Sequence, residues 1–269
     1  MNKKRMCILS LSLAAACAAA AVWFAFSWYK TMREYKRGNE DLNQMYRVMG
    51  IISAPVSKEE QKKMELPALR ALKENQRKER LEAYERLAAR NEDMIGWIRV
   101  EDTMIDYPVM QTKATPDFYL HRGFDGEYSV YGMIYMDAGC SLEEECPNYI
   151  LYGHHMKNGS MFASIEQYAS VDYYKEHPVI SFDTLDRTGS YEVVLAFKLP
   201  AGRVDNRFAS MLAARTEKDY ADFIDYGKNN GFYDTGMIPQ WPEQLVTLTT
   251  CEYTQRDGRF FVVARKIQE

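Results

Sequence analysis

After Asn91 the chain changes from helix-forming sequence to a succession of short β-type segments separated by turn residues. Eight segments are predicted as strands: Ile95–Val100, Met104–Gln111, Gly132–Met136, Asn148–Gly153, Val179–Asp183, Tyr191–Leu199, Gln244–Cys251 and Arg259–Ile267. Helices are predicted at Ser160–Tyr168, Asp172–Glu176 and Thr216–Asn230. Because no helical crossover recurs between the strands, this pattern favours a mostly β fold that closes, or nearly closes, into a barrel.

The sequence from Lys30 to about Arg90 is charged and helix-forming. A first helix is predicted to end near Met49, and a second to begin after Ser57 with an interruption at Pro67. In the second helix apolar residues recur every three or four positions, so one face is predicted to pack on the domain that follows. For the first helix, packing and a solvated stalk are both open interpretations.

The N-terminus carries basic residues at positions 3–5, followed by an apolar run from about Cys7 to Tyr29. A transmembrane helix needs roughly 20 such residues, and a short basic tail normally stays in the cytoplasm. We therefore expect a single-pass anchor in the cell membrane, with the rest of the chain outside the cell. A cleaved signal peptide and a lipoprotein at Cys17 are disfavoured, because the run stays apolar past its alanine-rich centre.

The whole chain of 269 residues suits one globular domain with appendages. The predicted division is a cytoplasmic tail and membrane anchor in residues 1–29, a helical juxtamembrane region in 30–90 and a β-barrel in 91–269. A net charge of −4 without a basic face gives no reason to expect nucleic acid as a partner.

Five cysteines occur in the sequence, two of them in the N-terminal apolar run. Cys140 and Cys146 flank an acidic loop, and whether they form a disulfide is left open, because spacing does not establish geometry. Cys251 then remains as an unpaired thiol. An unpaired thiol is prone to oxidation, so its presence is easier to explain if its reactivity is used.

The C-terminal hairpin places a cysteine and an arginine close together. Cys251 ends one predicted strand, Asp257-Gly258 forms the turn, and Arg259 begins the next strand. A guanidinium group near a thiol favours the nucleophilic thiolate, and it can stabilise an oxyanion. Arg256 in the turn and Arg265 farther along the strand fit this role less well. The competing interpretation is a surface arginine beside a half-buried cysteine.

A histidine follows the predicted strand Asn148–Gly153, where the strand opens into a loop. The imidazole of His154 can accept a thiol proton and later protonate a leaving amine, because its pKa lies near neutrality. His155 is predicted to point the other way, and His121 and His177 are interpreted as structural or exposed. No metal site is predicted, since neither helix-like histidine spacing nor Cys-x-x-Cys is present.

These motifs resemble those of the sortases. Thr-Leu-Thr-Thr-Cys at 247–251, with an arginine eight positions later, resembles the sortase active-site strands. Tyr-Gly-His at 152–154 with Asn-Gly-Ser-Met-Phe at 158–162 is similar to the histidine segment of class B. Residues 91–98 and 105–109 are similar to the start of that class's barrel, so the resemblance extends from Asn91 to the C-terminus.

The resemblance implies a sortase-type eight-stranded β-barrel with N-terminal helices and a long helix before the nucleophile strand. It also implies a transpeptidase that cleaves a Pro-x-Thr sorting motif of secreted proteins after threonine, through a thioacyl-enzyme. The acceptor would be an amine of a peptidoglycan precursor or of a pilin. No cofactor is implied.

The resemblance assigns roles to six residues. Cys251 would be the nucleophile, His154 the acid and base, and Arg259 the oxyanion ligand. The residues expected to line the substrate groove are Leu120, Tyr152 and Thr249, with a core role for Tyr152 equally open. The chain departs from the family in two respects: no Asn or Asp is identifiable as a third residue that orients the histidine, and Tyr253 stands where some class B members carry an acidic residue.

Two other functions are open from the sequence. One is a different cysteine hydrolase, although papain-like enzymes place the cysteine before the histidine and this chain has the opposite order. The other is a barrel that binds peptides without catalysis. Transfer to an added amine would separate a transpeptidase from both.

Overall fold

The computed structural model describes residues 17–33, 36–38, 40, 63–143, 146–199, 205–250 and 258–268. Some of the sequence predictions concern residues outside these ranges. They are the start of the apolar run, the end of the first helix, the nucleophile Cys251, and the residues Tyr253 and Arg256.

The N-terminal helix differs from the sequence prediction. Residues 17–33 are helical and exposed, and they include the cations Lys30 and Arg33. Among the described residues, no helix has both the length and the apolar character that crossing a membrane demands. This finding contradicts the predicted cell-membrane localisation, and it does not support the predicted transmembrane anchor or membrane partner.

Helix α1 spans Leu66–Ala88 and begins where the sequence suggested an interruption. Pro67 lies in its first turn, where proline's missing N–H costs nothing because that donor would have no partner within the helix. The helix buries Ala83, Tyr84 and Leu87, and the Tyr84 ring stacks on Trp97 with centroids 5.6 Å apart. The predicted packing of this helix on the following domain is confirmed.

A buried polar contact joins α1 to the barrel. The Tyr84 hydroxyl donates a hydrogen bond of 3.0 Å to Asp183 Oδ2, and the Gly189 amide donates to Oδ1 of the same carboxyl group at 3.1 Å. Burial raises the pKa of Asp183, whereas the nearby Arg80 guanidinium opposes that rise. The carboxyl group therefore depends on these partners inside the protein.

Tyr84→Phe is expected to lower the free energy of unfolding by about 1–3 kcal/mol, because it removes a partner of a buried carboxyl group and keeps the ring. Chemical denaturation followed by circular dichroism measures this change. Tyr128→Phe is the matched control, since Tyr128 is half exposed and its substitution should leave the midpoint nearly unchanged. Equal midpoints for the two variants would contradict a stabilising role for the contact.

The eight strands are β1 Met94–Val100, β2 Asp106–Met110, β3 Ile134–Met136, β4 Asn148–Gly153, β5 Val179–Thr184, β6 Ser190–Leu199, β7 Leu245–Thr250 and β8 Arg259–Lys266. They close into a barrel in the order β1-β2-β3-β4-β7-β8-β6-β5. The pairs β2–β3 and β4–β7 are parallel, and the other pairs are antiparallel. The predicted fold class is confirmed.

Five elements lie around the barrel in addition to α1: α2 Val171–Glu176, α3 Asn206–Ala213, α4 Glu217–Asn230, a 3₁₀ helix at Phe118–His121 and a second 3₁₀ helix at Ala163–Ala169. The predicted helix at Ser160–Tyr168 is this second 3₁₀ helix. α4 is the predicted long helix before β7. The sequence analysis missed α3, although Asp205 caps it by accepting from the Phe208 amide and apolar residues recur along its buried face.

Strand β2 begins two residues later than predicted. Asp102 adopts φ 61°, and the Thr103 hydroxyl donates to the Val100 carbonyl at 2.9 Å. The Ile105 amide in turn donates to Thr103 Oγ1. These bonds close a turn that includes Met104, so the strand starts only after Ile105.

Candidate active site

The parallel pair β4–β7 places two of the predicted groove residues, Tyr152 and Thr249, beside each other near one edge of the barrel. Its register pairs Tyr152 with Thr249 and Gly153 with Thr250. In the sequence the next residues after the last pair are His154 and Cys251. The described strands therefore end together at the positions that precede the predicted base and the predicted nucleophile.

The antiparallel pair β7–β8 brings Arg259 to the same edge. Thr249 pairs with Phe261, and the Phe260 amide donates to Thr250 Oγ1 at 3.2 Å. Arg259 is the first residue of β8 and is half-buried. Its backbone lies just beyond the end of β7.

The other described arginine on β8 lies at the opposite end of the barrel. Arg265 pairs in register with Leu245, the first residue of β7. Its guanidinium group lies 3.3 Å from Glu192 and 3.6 Å from Glu243. Arg265 is thus engaged by carboxylates far from His154, which favours Arg259 as the cation at the site.

The His154 side chain is half-buried, and its orientation is set by a backbone carbonyl. Its Nε2 lies 2.6 Å from the Leu120 oxygen, and its ring stacks on His121 with centroids 5.3 Å apart. A carbonyl oxygen only accepts hydrogen bonds, so Nε2 carries the proton in this contact. In the neutral ring, Nδ1 is then the nitrogen that can accept a proton.

The Leu120 carbonyl is held in place by close packing of the backbone. Leu120 belongs to a 3₁₀ helix, Phe118–His121, and the Met133 amide donates to the Tyr119 carbonyl at 2.9 Å. Gly132 has φ +57°, and a Cβ atom there would lie 2.4 Å from the Leu120 oxygen. Glycine is therefore required at this position for the carbonyl to reach His154.

Gly153 lies at a second close approach, immediately before the histidine. A Cβ atom on Gly153 would lie 2.5 Å from Ile134 Cδ1 and 2.7 Å from the Phe162 ring. The Phe162 amide also donates to the His154 carbonyl at 2.9 Å. The packing of Phe162 and the position of His154 are therefore coupled.

Gly153→Ala is expected to lower the free energy of unfolding by about 1–3 kcal/mol, because the added methyl group overpacks this region. Thermal and chemical denaturation measure the loss. Ile134→Val removes the Cδ1 atom nearest the new methyl group, so the double variant should recover part of the stability. If the losses of unfolding free energy in Gly153→Ala and Ile134→Val simply add in the double variant, the clash with Ile134 is not the cause of the destabilisation.

The three residues predicted to line the groove surround His154 and the end of β7. Leu120 is half-buried and supplies the carbonyl described above. Tyr152 is half-buried, stacks on Tyr135 at 5.3 Å and donates its hydroxyl to Asp137 Oδ2 at 3.0 Å. Thr249 is buried, and its hydroxyl has no hydrogen-bond partner among the described residues.

The remaining histidines differ in their surroundings. His155 contacts Glu166 at 3.3 Å, and His177 Nδ1 lies 3.0 Å from the Glu101 carbonyl. His121, which the sequence indicates to be structural or exposed, is exposed, and it stacks on His154 in a tertiary contact that no local sequence pattern signals. Within the described ranges, no group of three or more potential metal ligands occurs.

The fold and the site together define a class of protein. A closed barrel that gathers a histidine and an arginine around the strand preceding a cysteine has the layout of a cysteine transpeptidase. Comparison with known proteins supports this class: residues 98–267 match the sortase domain family model.

Individual relatives agree with the family model. The chain is 32% identical over 187 residues to sortase B of Staphylococcus aureus (strain NCTC 8325 / PS 47), covering 69% of this chain and 75% of the relative. The fold matches a solved S. aureus sortase B–substrate complex with a TM-score of 0.63 and 32% identity, over 70% of this chain and 85% of that one. It also matches a sortase B complexed with triglycine, with a TM-score of 0.61 and 30% identity, over 70% and 86% of the two chains. The chain belongs to the sortase family of cysteine transpeptidases.

Proposed function

We propose that this enzyme cleaves a Pro-x-Thr sorting motif of secreted proteins after threonine and transfers the acyl group to an amine. Residues 91–269 are the catalytic barrel in this proposal, and residues 30–90 form a helical region before it. The observation that carries the proposal is the register of β4, β7 and β8. Continued by one or two positions, that register would bring His154, Cys251 and Arg259 to one edge of the sheet.

In the first half-reaction His154 takes the proton of Cys251, and the thiolate attacks the carbonyl carbon of the motif's threonine. Negative charge develops on the carbonyl oxygen, where Arg259 donates hydrogen bonds. The His154 imidazolium then protonates the leaving amine, and the peptide bond breaks to leave a thioester on Cys251. The Leu120 carbonyl supports the charged imidazolium by accepting from Nε2.

In the second half-reaction His154 deprotonates the incoming amine, which attacks the thioester. The new amide forms as the Cys251 sulfur leaves as a thiolate, and His154 then returns a proton to that thiolate. Two related structures support these steps: an S. aureus sortase B bound to substrate and a sortase B bound to triglycine. The acceptor proposed here is a primary amine of a peptidoglycan precursor or of a pilin.

The substrate groove is proposed to include Leu120, Tyr152 and Thr249. Leu120 lies against His154, and Tyr152 and Thr249 are register partners on the two strands that lead to the reacting residues. Among the described residues the Thr249 hydroxyl has no hydrogen-bond partner, so a polar group of a bound peptide would supply one.

Intact-mass spectrometry of the whole chain tests the function. The reduced protein is incubated with Pro-x-Thr peptides, with and without triglycine or a diamino acid. We expect an acyl adduct on Cys251 that the amine discharges as a ligated peptide. Discharge by water alone, at a rate that amine does not change, would instead identify a hydrolase. A folded sample that forms no adduct with any peptide would contradict the proposal.

A further inference from the structure

Two cysteines that the proposed reaction does not use lie close together at the other end of the barrel. Cys140 Sγ lies 3.3 Å from the Asn148 carbonyl oxygen, and Cys146 Sγ lies 3.2 Å from the same atom. The two sulfur atoms therefore converge on a single oxygen atom. Two sulfur atoms this close to the same oxygen atom need only a local movement to reach a disulfide bond length of roughly 2 Å.

The acceptor that the two thiols share belongs to the rigid part of the barrel. Asn148 is fully buried at the start of β4. Its side-chain amide donates to the Leu212 carbonyl at 2.7 Å and accepts from the Thr247 hydroxyl at 2.8 Å. The carbonyl between the thiols is therefore fixed by contacts to α3 and β7, and the thiols are held by a scaffold rather than by the loop alone.

The two thiols differ in their access to solvent. Cys140 is buried, with 4% of its surface exposed, whereas Cys146 is partly exposed. Cys146 lines a cavity of about 650 Å³ together with Arg215, Trp241 and Lys266. A small molecule in this cavity reaches Cys146 first.

We propose that Cys140 and Cys146 form a reversible disulfide by exchange with a low-molecular-weight disulfide such as glutathione disulfide. The Cys146 thiolate attacks one sulfur of that molecule, whose S–S bond breaks and whose other half leaves as a thiol. Cys140 then attacks the mixed disulfide on Cys146 and releases the second half. Two protein thiols are oxidised to one disulfide, and the small disulfide takes up two electrons and two protons.

The electrostatics of the pair agree with these separate roles. The neighbouring Cys140 thiol, as a hydrogen-bond donor, lowers the pKa of the Cys146 thiol, and the nearby Arg215 guanidinium acts in the same direction. That hydrogen bond, together with burial, raises the pKa of Cys140. Cys146 is thus the attacking sulfur, and Cys140 gains reactivity only after Cys146 has been capped.

Peptide mass spectrometry of the whole chain tests the exchange. Residues 123–157 form one tryptic peptide that contains Cys140 and Cys146 and none of the other cysteines of the sequence. After equilibration with glutathione disulfide and alkylation, we expect this peptide to have lost two hydrogen atoms and to carry no alkyl group. Reduced glutathione should restore two alkylatable thiols. Before oxidation, iodoacetamide should label Cys146 at least about tenfold faster than Cys140.

Matched variants separate the two roles. In the Cys140→Ser variant, glutathione should remain attached to Cys146. In the Cys146→Ser variant, Cys140 should remain largely unmodified. The oxidised wild-type chain should melt about 5 °C or more above the reduced chain, a shift absent from both variants. A Cys251→Ser background removes the proposed nucleophile from the exchange, so the result does not depend on the proposed function.

Three results would overturn the inference. One is a wild-type peptide that keeps two alkylatable thiols while other cysteines of the chain react with glutathione disulfide. Another is a mixed disulfide that persists on Cys146 although Cys140 is present. The third is a disulfide that joins Cys146 to a cysteine outside residues 123–157. Each of these results is measured on the wild-type chain, so none depends on the folding of a variant.

Discussion

Cys251→Ala is expected to reduce peptide cleavage by at least about 10⁴-fold, because no other group can form the thioester on which both half-reactions depend. The substitution replaces a thiol by a hydrogen at a position that follows β7 in the sequence, so the barrel should remain folded. Cleavage of a Pro-x-Thr peptide measures the loss by chromatography, and circular dichroism checks the fold.

Cys146→Ala is the matched control for this experiment. Cys146 lies next to the start of β4, whereas Cys251 follows the end of the neighbouring strand β7. Under reducing conditions the control should cleave at nearly the wild-type rate. If Cys251→Ala retains more than a background rate, another residue is the nucleophile.

Arg259→Lys is expected to lower kcat/KM by about 10²–10³-fold, even though it keeps the positive charge. A guanidinium group donates two parallel hydrogen bonds from a rigid plane, whereas an ammonium group is a point charge on a flexible stem. An interaction made mainly in the transition state should be lost from kcat rather than from KM. Steady-state kinetics at saturating amine measures kcat and KM separately.

Arg265→Lys provides a control on the same strand. Arg265 contacts Glu192 and Glu243 at the far end of β8. Its replacement should change stability slightly and leave kcat/KM within about twofold, since exposed ion pairs contribute little. A wild-type rate for Arg259→Lys, or equal losses in both variants, would remove the oxyanion role from Arg259.

Local patterns in the sequence predicted much of the barrel correctly. Alternation along Leu245, Thr247 and Thr249 and the turn at Asp257-Gly258 gave the last two strands within a residue or two. The start of β2 was misplaced because Asp102 adopts a left-handed conformation, which an aspartate tolerates without any distinctive signature. The helix α3 was missed because its eight residues are too few for a clear periodic pattern.

The candidate site was predictable only in its parts. The hairpin explains why Arg259 lies near the end of β7, since both strands meet through a short loop. The parallel pairing of β4 with β7 has no local signal, and only the family resemblance indicated that His154 belongs beside that strand. The contacts of His154 with Leu120 and His121 arise from packing between distant segments.

The parallel pairing of β4 with β7 also determines when during folding the site can exist. The Thr247 hydroxyl bonds to Asn148 across 99 positions of the chain, so these strands meet only after a long loop has closed. Folds dominated by such distant pairings form slowly, in milliseconds to seconds. A chain still on the ribosome carries His154 long before β7 and β8 emerge, and it has neither a closed barrel nor a reactive centre. Activity therefore requires that β7 and β8 have been made and have paired with the earlier strands.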